Sequence, residues 1–251
     1  MNRRRFLIGA AALTGIATSP IGSALAQNAP AKITAGINTV GVPFAYQENG
    51  AFKGVMYDML EAIAKLKGFT VEYSPMKFDA MIPALQVKQI DLGVTGFFVT
   101  EARKAVIDFT TPIFKQGSVL VVNANSPISS VEGLRGKVIA AQQGSAPLKV
   151  AQEHANEWGV EVRILSDAAN MMLAMQTGDV AGMIYDSAVI RAHLKKEGAR
   201  PSHKIISSLL NPTDIAYGVP KGGAMLDVMN DGLAALKASG QFSAIMKKYD
   251  L

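Results

Sequence analysis

The sequence predicts an α/β protein of two lobes, each a mostly parallel sheet flanked by helices, joined by two crossings of the chain. Three observations carry that expectation. After Ala31, short strand-like runs alternate with longer amphipathic runs along the chain, the pattern of parallel sheets covered by helices. The rhythm strand, helix, strand, helix, strand, helix occurs twice, and its third-strand regions match locally: Ala84–Val94 (ALQVKQIDLGV) lines up with Ala174–Ile184 (AMQTGDVAGMI). Two further helical stripes close the chain and need an apolar surface. The first half supplies one if the chain crosses between the halves twice.

The elements of the first half are read from spacing. Ile33–Ile37 alternates as a strand does. Pro43 and Gly50 break the segment that follows. Met56, Met59, Leu60, Ile63 and Ala64 fall at helical spacing. Val71–Tyr73 is a short strand, Phe78, Met81, Ile82 and Leu85 a second helical stripe, and Asp91–Thr95 a third strand. In the second half Val138–Ala141 is a strand, 147–156 a helix, and Val160, Val162 and Ile164 alternate. Ser166 stands where it can cap a helix containing Met172, Leu173 and Met175. Val180–Tyr185 reads as a strand and Ser187–Lys196 as a helix. At the end, Leu226, Met229, Leu233 and Leu236 form one stripe, and Phe242, Ile245, Met246 and Tyr249 another.

Composition excludes several classes. The 251 residues are 49% hydrophobic and 18% charged, which suits a packed core and not a disordered chain. With no cysteine there is no disulfide framework, thiolate metal site or cysteine nucleophile. Three scattered histidines give no reason to expect a metal centre, and none is expected. No cofactor motif occurs: Gly133–Val138 (GLRGKV) lacks the spacing and final hydroxyl of a phosphate-binding loop and reads as a turn into a strand.

The formal charge of +5 is largely the property of one segment. Met1–Arg5 is basic, Phe6–Leu13 is apolar, and Ala24-Leu25-Ala26 suits a signal peptidase, so residues 1–26 read as an export signal cleaved near Ala26. Arg3–Leu7 resembles the twin-arginine export motif. The apolar run falls short of the roughly 20 residues that span a bilayer. Residues 1–26 hold three of the 25 Lys and Arg and none of the 20 acids, so without them the net charge falls to +2. No basic run with interleaved aromatics remains, and nucleic acid is not an expected partner. A soluble periplasmic monomer with no lipid anchor is expected.

Open parallel sheets bind ligands beyond the carboxyl ends of their strands. Two facing lobes bring those ends around one cleft, and hinged closure about two crossings traps a small molecule. Thr100 follows the third strand as an N-cap, which puts Arg103 in the first turn of a helix, where a cation opposes the helix dipole. Either Arg103 is a surface residue paired with an acid such as Glu101, or its guanidinium and the nearby backbone N–H groups bind a carboxylate. Asp186 follows the matching strand of the second half. It either caps the next helix or accepts hydrogen bonds from an ammonium group. Together the two match both ends of an α-amino acid. Gln142–Ala146 is a turn exposing backbone donors, in which Ser145 is a hydroxyl ligand or a helix cap. Phe78 is a platform for a ligand or part of the core.

These motifs resemble family 3 of the bacterial solute-binding proteins, the periplasmic amino-acid receptors of ABC importers. The resemblance runs through Val42–Phe44, Asn49-Gly50, Lys53-Gly54, Phe78–Leu85, Asp91–Gly96, Thr100–Arg103, Asp108–Pro112, Leu134–Lys137 and Gln142–Ser145. It implies the two-lobe periplasmic-binding-protein fold of type II. Residues 32–115 plus 217–251 then form one lobe and 119–212 the other, with hinges near 115–119 and 212–217. It implies that Arg103 holds an α-carboxylate, Asp186 an α-ammonium, and Phe78 the ligand side chain. Thr95, Gly96 and Phe98 match positions of backbone or hydroxyl contact, and Ser145 a hydroxyl position. The implied partners are an amino acid or related carboxylate and a transmembrane permease. Departures shape the ligand expected. Gly41 replaces a common aromatic, Phe98 a Ser or Thr, Ala146 a Thr, and Asn38 an acid frequent in receptors for basic ligands. A neutral amino acid, bulky or aromatic, is therefore expected. A different class also fits the scaffold: some similar proteins are cyclohexadienyl (prephenate or arogenate) dehydratases, for which Glu153 and Asp186 are the candidate acids.

Overall fold

Helices and strands alternate through a computed structural model that describes residues 30–251; the expected export segment lies outside the described residues. The first half runs β1 (Lys32–Ile37), a hairpin of β2 (Tyr46–Glu48) and β3 (Ala51–Lys53), α1 (Val55–Lys67), β4 (Thr70–Pro75), α2 (Phe78–Gln86), β5 (Leu92–Phe98), the single turn α3 (Glu101–Lys104) and β6 (Ile107–Phe109). The long strand β7 (Phe114–Asn123) leads into the second half: β8 (Val138–Gln142), α4 (Ala146–Trp158), β9 (Glu161–Leu165), α5 (Ala168–Thr177), β10 (Gly182–Asp186), α6 (Ser187–Glu197) and β11 (His203–Ile205). β12 (Leu210–Pro220) returns, and α7 (Met225–Ala238) and α8 (Gln241–Lys248) follow.

The sheet order shows the internal repeat. It is β4-β1-β5-β12-β7-β10-β8-β9. Within each half the flanking strands pair parallel to a central one, β4 and β5 to β1, β9 and β10 to β8. One antiparallel strand then joins each block, β12 on β5 and β7 on β10. Read inward from each edge, the two blocks have the same order. The matching segments Ala84–Val94 and Ala174–Ile184 lead into equivalent strands, β5 and β10.

Packing follows the same division. Ile33, Ile37, Met56, Met59, Leu60, Ile63, Met81 and Leu85 form one core with Tyr217, Val228, Met229 and Leu233. That core takes in the predicted stripes of α1, α2 and α7. Gly232 lets α7 approach α1: a Cβ there would meet Ile63 Cγ2 at 2.4 Å. The α8 stripe packs on the same core, and Tyr249 just beyond it accepts the Gly54 N–H through its hydroxyl, 3.0 Å. The second half has two cores, one on each side of its block. Leu120, Val122, Ile139, Ala151 and Trp158 lie in one, and Val121, Met171, Met175, Met183 and Ile190 in the other.

Two strand segments join the halves and pair with each other. Lys115 and Gln116 of β7 sit opposite Asp214 and Thr213 of β12, and Ser118 opposite Leu210, with a register shift between Leu210 and Thr213. Gly117 lies within this ribbon, where a Cβ would come within 2.4 Å of the Leu210 carbonyl oxygen. Only a residue without a side chain tolerates that approach.

Two local expectations change. Asp167, not Ser166, caps α5: its carboxylate accepts the Asn170 N–H at 2.9 Å, and Ser166 donates to that carboxylate. Val180 lies before β10 and not in it. No helix of the described residues is long and apolar enough to cross a membrane.

Candidate functional site

The carboxyl ends of β5, β8 and β10 converge on a narrow slit between the halves, as strand direction requires. Its walls are Val40, Phe78, Gly96 and Phe98 from the first half and Gln142, Ser145, Ala146, Pro147, Tyr185 and Asp186 from the second. The walls are drawn together: the slit leaves about 10 Å³ for the centre of a water-sized sphere, room for roughly one water. Two hydrogen bonds span it. Arg103 Nη2 donates to the Gly144 carbonyl at 3.1 Å, and Tyr185 Oη donates to the Val40 carbonyl at 3.3 Å.

Arg103 is not a surface residue. Only 7% of it is exposed. Its Nη1 donates to the Phe98 carbonyl at 2.9 Å, and its Cζ lies 5.4 Å from the Phe78 ring centroid and 5.7 Å from that of Phe97. Thr100 caps α3 as expected, with Oγ1 accepting the Arg103 N–H at 3.3 Å. Among the described residues no carboxylate forms an ion pair with the guanidinium; Glu101 pairs with Lys104 instead. Burial lowers the Arg103 pKa to about 10, with nearby Asp186 opposing, so the side chain stays charged at pH 7.

Asp186 is the complementary case. It is 8% exposed and occupies the N-cap position of α6, yet its carboxylate caps nothing. Burial pushes its pKa up to about 7, with Arg103 opposing the shift. The two charges therefore feel each other without touching. An isolated buried charge costs several kcal/mol, so both groups have free energy to gain from a partner. A molecule with a carboxylate at one end and an ammonium at the other provides a partner for each.

The remaining expected residues divide. Phe78 lines the slit and tilts against Phe97, ring centroids 5.6 Å apart, so it is both wall and core. Gly96 lines it where a Cβ would press within 3.1 Å of the Phe44 ring. Phe98, Gln142 and Ser145 also line it. Ser145 caps α4 by accepting the Leu148 N–H at 3.1 Å, and Gln142 reaches the Ser166 carbonyl at 3.5 Å. Asn38 and Thr95 are not in the walls. Asn38 spends its amide on the Met76 carbonyl at 2.9 Å, and Thr95 is fully buried with no partner for its hydroxyl among the described residues. Sequence reasoning did not pick out Val40, Pro147 or Tyr185 as site residues. Tyr185 adjoins Asp186 at the end of a predicted strand, and that position was the signal available.

Larger hollows flank the slit. Beyond Val40 and Tyr185 lies one with Met172, Met183, Val189 and Ile190 in its walls and His193 and Lys196 at its polar side, with no carboxylate among the described residues that line it. Beyond Phe98 and Ala146 lies another, lined in part by Thr100, Ser118, Lys149 and Glu153.

Comparison with known proteins gives a consistent picture. The family described as bacterial extracellular solute-binding proteins, family 3, matches residues 33–250. The arginine-binding extracellular protein ArtP of Bacillus subtilis is 24% identical over 95% of this chain and 92% of its own length. An ancestral arginine-binding protein, solved with arginine and with glutamine, is 32% identical, with a TM-score of 0.80 over 88% of this chain and 98% of that one. The arginine-, lysine-, histidine-binding protein ArtJ of Geobacillus stearothermophilus is 25% identical, with a TM-score of 0.79 over 87% of this chain and 94% of that one.

Proposed function

The chain belongs to family 3 of the bacterial extracellular solute-binding proteins, and from that premise we propose that it captures a neutral amino acid with a bulky or aromatic side chain and delivers it to an ABC import permease. The observation that carries this reading is the pair of buried charges at one slit, Asp186 in its wall and Arg103 hydrogen-bonded across it to Gly144, with no ion-pair partner for either among the described residues. In the proposed complex Arg103 exchanges its hydrogen bond to Gly144 for the α-carboxylate, and Asp186 accepts the α-ammonium. Phe78 packs on the ligand, and Gly96, Phe98, Gln142 and Ser145 complete the contacts. Asn38 and Thr95 act from behind the wall.

The lobes we propose are 32–115 plus 217–251 and 119–212, with hinges near 115–119 and 212–217. Separate hydrophobic cores on either side of the paired strands support that division. An amino acid needs far more room than one water, so the lobes part to admit it and close again. Export, cleavage near Ala26 and a periplasmic monomeric life follow from the same reading.

Side-chain preference rests on the flanking hollows. Val40, Met172, Met183 and Ile190 suit an apolar group, and Lys196 repels a guanidinium. Asn38 is occupied with Met76 and offers no negative charge. The relatives named for arginine make arginine the necessary competitor in any test. A thermal-shift screen of the common amino acids is that test. Bulky neutral ligands are expected to raise the melting temperature more than arginine does. No shift from any amino acid overturns capture, and a shift from arginine alone overturns the side-chain preference.

One observation favours a second reading. An acid with a pKa near 7 is the kind of group that protonates a leaving hydroxyl, and Asp186 has that property. A cyclohexadienyl dehydratase on this scaffold would use it. Incubation with prephenate or arogenate, followed by assay of phenylpyruvate or phenylalanine, distinguishes the two: turnover supports the enzyme, and unreacted substrate supports the receptor.

A further inference from the structure

Away from the slit, folding gathers two of the three histidines that are scattered in the sequence. His193 and Glu197 are four residues apart on α6 and so share one face of the helix. Gly198 ends that helix at φ 64°, and the chain returns so that His203 opens β11 beside them. One coordinating atom from each of His193, Glu197 and His203 lies within 4.8 Å of the others. No other trio or larger group of such side chains comes together among the described residues.

The surroundings fit ligation. His203 is fully buried, and its Nε2 has no hydrogen-bond partner among the described residues. Its Nδ1 lies 2.8 Å from Ser202 Oγ. With the proton on Nδ1 donated to that hydroxyl, Nε2 keeps a free lone pair, the arrangement that orients metal-bound imidazoles elsewhere. Glu197 is held in place too, since its Oε2 accepts the Ser202 N–H at 2.8 Å while Oε1 faces His193 Nε2 at 3.3 Å. Ligand atoms about 2.1 Å from a tetrahedral ion stand about 3.4 Å apart, close to that separation. The imidazoles now stack 4.8 Å apart at 8°, so coordination turns the half-exposed His193 ring out of the stack.

We propose that His193, Glu197 and His203 form a site for a divalent transition-metal ion of the zinc class, with a fourth position open to water. Two imidazoles and a carboxylate suit such an ion and not magnesium or calcium. The site lies within the second half and does not rest on the amino-acid reading. The test is calorimetric titration of zinc chloride into the untagged full-length protein after treatment with EDTA. One ion is expected to bind with a dissociation constant of about 10 μM or tighter, with release on adding EDTA. His193→Ala and Glu197→Gln should each weaken it by about tenfold or more, and His154→Ala should not. Metal-free melting temperatures of the variants show that each is folded. Absent binding at 100 μM zinc, on the order of tenfold above that constant, overturns the site. So does binding that survives His193→Ala, or that is lost equally with His154→Ala.

Discussion

At the scale of single residues, the proposed site is two charges that the fold keeps apart. Arg103 has two carbonyls and two aromatic rings around it and, among the described residues, no ion pair with a carboxylate. Removing it should abolish capture and leave the fold intact. The expected loss for Arg103→Ala is roughly 2–5 kcal/mol of affinity, read by calorimetry with the best amino acid found. Asp186 gives a prediction with a sign. Its folded-state pKa of about 7 lies above its ordinary value, so between those two values the folded state holds more protons than the unfolded one. Stability from this group is full at acid pH and is lost as pH rises toward and through 7. Asp186→Asn should therefore raise the unliganded melting temperature above pH 7, by an amount worth at most about 4 kcal/mol, with the gain shrinking as pH falls toward the ordinary carboxylate range and vanishing below it. The same variant should lose ligand binding. A wild-type protein no less stable than the variant at pH 8 would contradict the strained carboxylate. The placement of Arg103 and Asp186 at the slit was legible in sequence because each follows a matching strand and carries a charge. Val40 and Tyr185 were not, because an apolar residue near a strand end looks the same whether it faces core or cleft. Asn38 and Thr95 failed for the converse reason: a polar type near the cleft was spent on the backbone or buried.

Among elements, helices were easier to find than joining strands. The stripes of α1, α2 and α7 and the alternation in β1 and β9 follow period rules that hold without tertiary context. Their bounds moved by a few residues. The joining strands β7 and β12 were expected as crossings and not as strands, since their pairing is with each other and depends on the whole fold. The small hairpin of β2 and β3 was likewise hidden behind Pro43 and Gly50. Helix packing gives the test at this scale. Alanine at Gly232 would gain about 0.5–1 kcal/mol of helix propensity. Its Cβ would also press within 2.4 Å of Ile63, a stiff β-branched side chain that is fully buried. Overpacking of that kind costs about 1–3 kcal/mol, so the clash wins. Gly232→Ala should lower the urea midpoint without changing the slope, and an unchanged or raised midpoint would show that α1 and α7 are looser than this.

For the whole molecule, the repeat seen in sequence becomes two blocks of equal strand order joined at a two-strand ribbon. Each block has its own core, as the proposed hinge motion requires, and Gly117 lets the ribbon strands approach closely. The slit as it stands is too narrow for an amino acid, so the proposed capture requires a more open form. Small-angle scattering should find a larger radius of gyration without ligand than with it. Mass action adds that ligand at a hundred times its dissociation constant stabilises the fold by about 2.7 kcal/mol. The most direct measurement is a crystal structure with the amino acid that raises the melting temperature most. We expect its carboxylate on the Arg103 guanidinium and its ammonium on the Asp186 carboxylate, within one closed slit. A ligand seated elsewhere, or one that touches neither group, would contradict the proposed role of this charge pair.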